Sequence, residues 1–451
     1  MISTICAIST GVGTGAISIV RCSGPEAIRI VNSVFKGENL TKVQSHTIHY
    51  GFIMNKKEKI DEVLVSIMKA PKSFTLEDMV EINCHGGIST TNKVLELLLT
   101  EGCKLSEPGE FTKRAFLNGR IDLVEAEAVG DLIMSETEKS RRLAINQISG
   151  ELSRKINDIR AKIISIQANI EVNIDYPEYN DIRIVTKTNL LPNIRKIKKE
   201  LEELLKTAEN GKIIKSGIDV AILGKPNVGK SSILNNLVEE NKAIVTDIPG
   251  TTRDTVEGKI ILEGILLNII DTAGIRKTSD KVEKIGVSRS LELCRTADLV
   301  IYVIDNTTKT LKEDLEFLAN LKGIKIIVLI NKDDISSKND YKELEKYNPV
   351  KGNTIEQKGL SDLKNKIIEL FKLNELETRN FSYLSNARQI SLVKKSLSAI
   401  KNAEECLKPE VPIDIISIDL KECYEQLGEI IGERYKEDLL DELFSRFCLG
   451  K

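Results

Sequence analysis

Up to about residue 119, short aliphatic runs such as 16–20 and 63–68 alternate with amphipathic stretches such as 91–99. The runs predict strands and the three-to-four spacing predicts helices, so the segment reads as a compact α+β domain. Beyond it the period lengthens. Leu152, Ile156, Ile159, Ile163, Ile166 and Ile170 stand three and four apart, the apolar stripe of a long helix that belongs in a bundle. At 218–223 a different rhythm begins, with strongly apolar segments at 260–262, 266–270, 299–304 and 325–330 that read as strands separated by helical segments. Such runs predict strands buried on both faces of a doubly wound α/β domain. Helical periodicity returns at 390–407 and 420–447. The expected organisation is an N-terminal α+β domain (1–119) and a helical domain in two parts (120–215 and 373–451), with an α/β domain inserted between them (216–372).

A chain of 451 residues exceeds what one core usually organises. Its net charge of −2 with 29% charged residues sets up no global field for nucleic acid. Basic clusters at 139–142 and 195–199 read first as solvated helix faces and second as phosphate contacts. Eight cysteines include no C-x-x-C pair, and three histidines leave no zinc-ligand spacing. Reduced thiols, and the absence of a basic lead-in before Gly11, Gly13 and Gly15, predict a cytoplasmic protein with no membrane span.

The chemistry sits in the third segment. Gly224-Lys225-Pro226-Asn227-Val228-Gly229-Lys230-Ser231 matches G-x-x-x-x-G-K-[ST] between a predicted strand and a predicted helix, with Ser232 next in the helix. Glycines let backbone N–H groups turn inward around phosphates, Lys230 adds charge at the β/γ oxygens and Ser231 suits Mg²⁺. Asn227 reads either as a turn former or as a side chain close to the phosphates. Asp271-Thr272-Ala273-Gly274 follows the next strand and offers a carboxylate on the Mg²⁺ side with a glycine amide near the γ-phosphate. Asn331-Lys332-Asp333-Asp334 follows another strand. Asp334 there accepts from the guanine amide and amino groups, and the Lys332 stem packs along the base. Three ordered motifs at strand ends predict GTP binding. Ile275 stands where small Ras-like GTPases carry a water-orienting glutamine, so another group must do that work: Arg276, Lys277, Asp280 or Glu283.

Four further runs accompany these motifs. They are Val245-Thr246-Asp247-Ile248-Pro249-Gly250-Thr251-Thr252-Arg253-Asp254 with Val282-Glu283-Lys284-Ile285-Gly286, Phe74-Thr75-Leu76-Glu77-Asp78 through His85-Gly86-Gly87, and Pro108-Gly109-Glu110-Phe111-Thr112-Lys113-Arg114-Ala115-Phe116-Leu117-Asn118-Gly119. With the terminal Phe447-Cys448-Leu449-Gly450-Lys451 they resemble the MnmE (TrmE) family of tRNA-modification GTPases along essentially the whole chain. The resemblance implies a multidomain fold: a tetrahydrofolate-binding, homodimerising N-terminal domain, a helical bundle and an inserted Ras-like P-loop G domain. It implies that Asn227, Thr246, Ile248 and Thr251 bind K⁺, that Ser231 and Thr252 hold Mg²⁺, and that Glu283 orients water with Lys230 at the phosphates. GTP would also touch Val228, Gly229, Ser232, Asp247, Pro249 and Gly250. Arg21, Glu81, Arg120 and Lys451 would bind the folate, with Cys448 beside it. The partners implied are tRNA and MnmG, the latter in a heterotetramer and supplying FAD and NADH. Leu76 takes a place the family gives to glycine, and the stretch near Gly352-Asn353-Thr354 lacks the family's S-A-[KR]. The alternative class is a ribosome-assembly switch of the Era or EngA kind. Such a switch would carry a KH-like or second G domain, and the sequence has neither pattern.

Overall fold

The computed structural model describes residues 3–11, 13–175, 187–240, 256–270, 296–308, 312–321, 323–335, 341–353, 359–376, 383–407, 412–435 and 437–450. They form two compact units: Met1–Met134, Ala144–Glu203 and Arg388–Lys451 make the first, and Ser135–Leu143 with Leu204–Ala387 make the second.

Seven strands build the sheet of the first unit: β1 (Ile5–Ile8), β2 (Ile17–Ser23), β3 (Phe35–Lys36), β4 (Thr47–Asn55), β5 (Glu58–Met68), β6 (Met79–His85) and β7 (Lys104–Leu105). Their order is β3-β4-β5-β6-β2-β1-β7, antiparallel throughout except where β7 runs parallel to β1. Alternation along β5 buries Val63, Val65 and Ile67 and turns Leu64 outward. The buried set packs with Ile30, Val31 and Val34 of one helix and Val94 and Leu98 of another, leaving the opposite face partly open. The six-residue stripe expected beyond Leu152 is buried along the helix Glu151–Asp175, each member at 4% exposure or less. A reciprocal capping box starts the helix Leu123–Ile133: Asp122 accepts from the Glu125 N–H, and the Glu125 carboxylate accepts from the Asp122 N–H, both at 2.9 Å.

One helical expectation divides. The periodicity of 420–447 belongs to two helices, Ile413–Ile431 and Glu437–Ser445. Gly432 ends the first in the left-handed conformation (φ +85°), where a Cβ would press on Phe116 and Leu123.

The second unit carries the doubly wound sheet: β8 (Ile218–Leu223), β9 (Val256–Leu262), β10 (Ile265–Ile270), β11 (Leu299–Asp305), β12 (Lys325–Asn331) and β13 (Val350–Lys351). The order β13-β12-β11-β8-β10-β9 is parallel except for the β9–β10 pair. Every residue of β11 is buried, because apolar layers cover both faces. The neighbouring β8, β11 and β12 all run the same way, so the loops after them gather at one end of the sheet.

Candidate nucleotide and folate sites

The loop after β8 is shaped by contact as well as by glycine content. Gly224 lies so close to the Val303 carbonyl that a Cβ would stand 2.3 Å from it. Asn227 (φ +63°) and Gly229 (φ +99°) then turn the backbone into the helix Lys230–Glu240. Buried Val228 pins the loop to the core. The Lys230 ammonium spans the loop, donating to the Gly224 and Lys225 carbonyls, each at 2.7 Å. Ser231 and Ser232 are exposed in the first helical turn, where amides and the helix dipole favour anions. The exposed Ser231 hydroxyl is a hard oxygen donor at this helix end, the donor type that would suit Mg²⁺.

A buried arrangement absent from the motifs steadies this loop. Lys225 donates to Asp314 Oδ2 at 2.7 Å, and the buried Tyr302 hydroxyl donates to Asp314 Oδ1 at 2.7 Å. Burial, reinforced by that carboxylate, raises the Tyr302 hydroxyl pKa well above its ordinary value. The only sequence signals were a tyrosine inside an apolar strand and an aspartate early in a helix, which are too common to read.

At the end of β12, Asn331 is 1% exposed and donates to the Val228 carbonyl at 2.8 Å. Lys332 adopts φ +64° and reaches both Asp305 Oδ2 (2.5 Å) and the Asn227 carbonyl (3.3 Å). Asp334 is exposed. Asn331 and Lys332 therefore meet the phosphate loop directly. The stretch without S-A-[KR] lies alongside, where the Gly352 carbonyl accepts from the Asp333 N–H at 3.1 Å. Thr246, Asp247, Ile248, Pro249, Gly250, Thr251, Thr252, Asp271, Thr272, Ala273, Gly274 and Glu283 lie outside the described residues, as do Ile275, Arg276, Lys277, Asp280 and Lys451.

In the first unit Arg21 and Glu81 are cross-strand partners on β2 and β6, joined at 2.7 Å (Nη2–Oε1) and 2.9 Å (Nε–Oε1). Arg21 also donates to the Gly450 carbonyl at 3.2 Å, which the Ser9 hydroxyl reaches at 3.1 Å. The C-terminal residues are thereby held against β1 and β2, with the Cys448 carbonyl accepting from the Gly109 N–H at 3.4 Å and Cys448 itself exposed. The Arg21 guanidinium lies over the Phe111 ring and that of Arg120 over Phe74, at 5.6 and 4.8 Å. Both rings belong to one apolar cluster with Ile5, Ala7 and Met79. Arg120 makes its hydrogen bond with the Phe74 carbonyl at 2.8 Å, not with the Arg21–Glu81 pair.

Much of each basic cluster on the helices is already paired. Arg141 and Arg142 both bind Glu138, and Arg195 and Lys198 both bind Glu404. Among the described residues no helix is long and apolar enough to cross a membrane.

A parallel sheet with a G-x-x-x-x-G-K-S loop at one strand end, tied to N-K-x-D at another, defines a P-loop GTPase. The description "GTP-binding protein TrmE N-terminus" matches residues 4–120, and "MnmE helical domain" matches residues 123–448. The chain is 50% identical to tRNA modification GTPase MnmE of Bacillus pumilus (strain SAFR-032) over 457 residues, covering 99% of this chain and 100% of that one. With the protein of the same description in Lactococcus lactis subsp. lactis (strain IL1403), identity is 49% over 448 residues, covering 99% and 98%. The G domain of the Thermotoga FeoB iron transporter is 34% identical, covers 34% of this chain and 97% of its own, and gives a TM-score of 0.26. The chain belongs to the MnmE family of tRNA modification GTPases: it is a GTP hydrolase involved in tRNA modification.

Proposed function

We propose that this chain, in the cytoplasm, couples K⁺-dependent GTP hydrolysis to building a carboxymethylaminomethyl or aminomethyl group on carbon 5 of a tRNA wobble uridine. In this reading 216–372 is the G domain, 1–119 the folate and dimerisation domain, and 120–215 with 373–451 the helical domain. Lys230 neutralises phosphate charge, Ser231 and Thr252 hold Mg²⁺, and Asp334 reads guanine. Asn227, Thr246, Ile248 and Thr251 hold the K⁺ that appears when two G domains meet, while Glu283 orients the attacking water. Asn227 is exposed in a left-handed turn inside the phosphate loop, which supports the K⁺ assignment by leaving the residue accessible next to the phosphate site.

The observation that carries the modification half is the hydrogen bond from Arg21, already paired with Glu81, to the Gly450 carbonyl. It joins three distant segments whose chemistry suits a folate: guanidinium and Lys451 for the glutamate tail, carboxylate for pterin donors. Arg120, over the same apolar cluster, adds a second guanidinium, and Cys448 acts beside this site. MnmG is the partner, in a heterotetramer, and brings FAD and NADH. A homodimer is supported by the open sheet face, on which Ile17, Ile48 and Tyr50 are 60–67% exposed, an apolar patch that favours covering.

Nucleoside analysis of tRNA from cells lacking the protein tests the reading. Loss of the carbon-5 group is expected, and unchanged wobble uridine would refute it. Hydrolysis is expected to be fast in KCl and slow in NaCl, and equal rates would remove K⁺ from the scheme.

A further inference from the structure

β11 and β12 run parallel in register, with Asp305 opposite Asn331, so the last residue of β11 stands beside the start of the guanine loop. Asp305 belongs to none of the nucleotide motifs, and it is 6% exposed. Its Oδ1 accepts from the Thr307 N–H at 2.8 Å and the Thr307 hydroxyl at 2.6 Å, an Asx-type turn that fixes the carboxylate plane. Its Oδ2 is thereby presented to the Lys332 ammonium at 2.5 Å. Burial alone would raise this carboxyl's pKa. The hydrogen bonds from Lys332 and Thr307 outweigh that effect and hold it below the usual carboxylate range, so Asp305 is an anion at neutral pH.

Lysine is a flexible point charge on a four-carbon stem that loses much rotamer freedom when ordered. To lie along a planar base, the stem needs its far end fixed. Two acceptors converge on that end, the Asp305 carboxylate and the Asn227 carbonyl at 3.3 Å. Only the first is an anion, so the ammonium meets an opposite full charge there and gains a Coulombic attraction that the neutral carbonyl lacks.

We propose that Asp305 is the positioning residue for Lys332: it fixes the ammonium between the guanine loop and the phosphate loop, so that guanine affinity depends on a carboxylate that never touches the nucleotide. The proposal rests on the reading that the Lys332 stem packs along the base.

The test is a double-mutant cycle on the full chain, read by titration with a fluorescent GDP. Asp305→Asn keeps the shape and removes the charge; it is expected to weaken binding about tenfold, the loss of one charge-assisted hydrogen bond. The KM for GTP should rise while kcat stays near wild type, because the phosphate chemistry is untouched. Lys332→Ala should weaken GDP binding comparably, and Asp305→Asn in that background should cost nothing further. Asp305→Glu, which keeps the charge, should recover most of the affinity. Additive losses in the double variant would overturn the proposal, because they would make Asp305 a support of the fold independent of Lys332. An additive loss with a lower melting temperature in nucleotide-free protein would do the same. Wild-type GDP affinity in Lys332→Ala is a separate failure, one of the base-packing reading itself, and would withdraw the proposal with it.

Discussion

Asn331 and Val228 are 103 residues apart, yet the Asn331 side-chain amide donates to the Val228 carbonyl at 2.8 Å in a buried setting. The residue that opens the guanine motif is thus a structural tie to the phosphate loop. Removing it strips a donor from the carbonyl of a buried residue, which costs about 1–3 kcal/mol. Asn331→Ala is therefore expected to weaken GDP and GTP equally, whereas Asp334→Asn should move preference from GTP toward xanthosine triphosphate. Competition binding separates the two, and unaltered GTP selectivity in Asp334→Asn would reject its role at the base.

Glu283 and Ile275 allow a kinetic comparison, since only a carboxylate can accept a proton from the attacking water. Glu283→Ala should slow hydrolysis strongly and leave GTP binding nearly intact, and Ile275→Ala should change turnover far less. Wild-type turnover in Glu283→Ala would pass the role to Asp280.

Leu76 occupies the left-handed region at φ +59°. The turn is held by its neighbours: the Ser23 hydroxyl reaches Thr75 Oγ1 and Glu77 Oε2, each at 2.7 Å. A leucine at this φ costs about 1–2 kcal/mol, and a β-branched residue tolerates it worse. Leu76→Val is expected to be less stable in urea than Leu76→Gly by at least about 1–2 kcal/mol. Equal midpoints for the two variants would show that the turn relaxes at no cost.

Arg160 is 5% exposed and binds the Glu433 carboxylate with both terminal nitrogens while its guanidinium lies 4.1 Å from the centre of the Tyr424 ring. Hydrogen bonding to Arg160 holds the Glu433 carboxyl below its ordinary value. Its contribution is therefore complete above the unfolded pKa of about 4.3 and fades as pH falls through the lower folded value. Glu433→Gln is expected to cost about 1–2 kcal/mol at pH 7, discounted because Glu433 is half exposed. The gap from wild type should be flat from about pH 8 to 5 and close in stronger acid. Urea unfolding across pH measures it, and a gap that widens on acidification would contradict the assignment.

The doubly wound sheet could be read from the chain because β8, β10, β11 and β12 are apolar at nearly every position, and a strand buried on both faces writes itself that way. The stripe from Leu152 to Ile170 was equally plain. The break at Gly432 was not, since both flanking helices keep the same apolar spacing and one glycine is a weak stop signal. At the nucleotide site, Asn331, Lys332 and the phosphate loop were legible because phosphate binding needs backbone turns that few sequences make. Asp305, Asp314 and Tyr302 were not, because their roles are set by strand register and by side chains meeting across the sheet end. Arg21 stood out in the sequence only through the family resemblance, because its partner Glu81 is set opposite it by the pairing of β2 with β6.

The first compact unit is closed by residues made after the second unit. Phe116, Leu123 and Ala126 are covered by Leu440 and Phe444, and Leu204–Ala387 intervenes in the chain. Translation proceeds from the N-terminus, and domains generally fold as they emerge. The interrupting unit can therefore close on the ribosome while its host waits with apolar side chains uncovered. A nascent chain arrested before Arg388 would present a finished nucleotide domain beside a sticky, half-built neighbour, which is the kind of surface that holding chaperones capture.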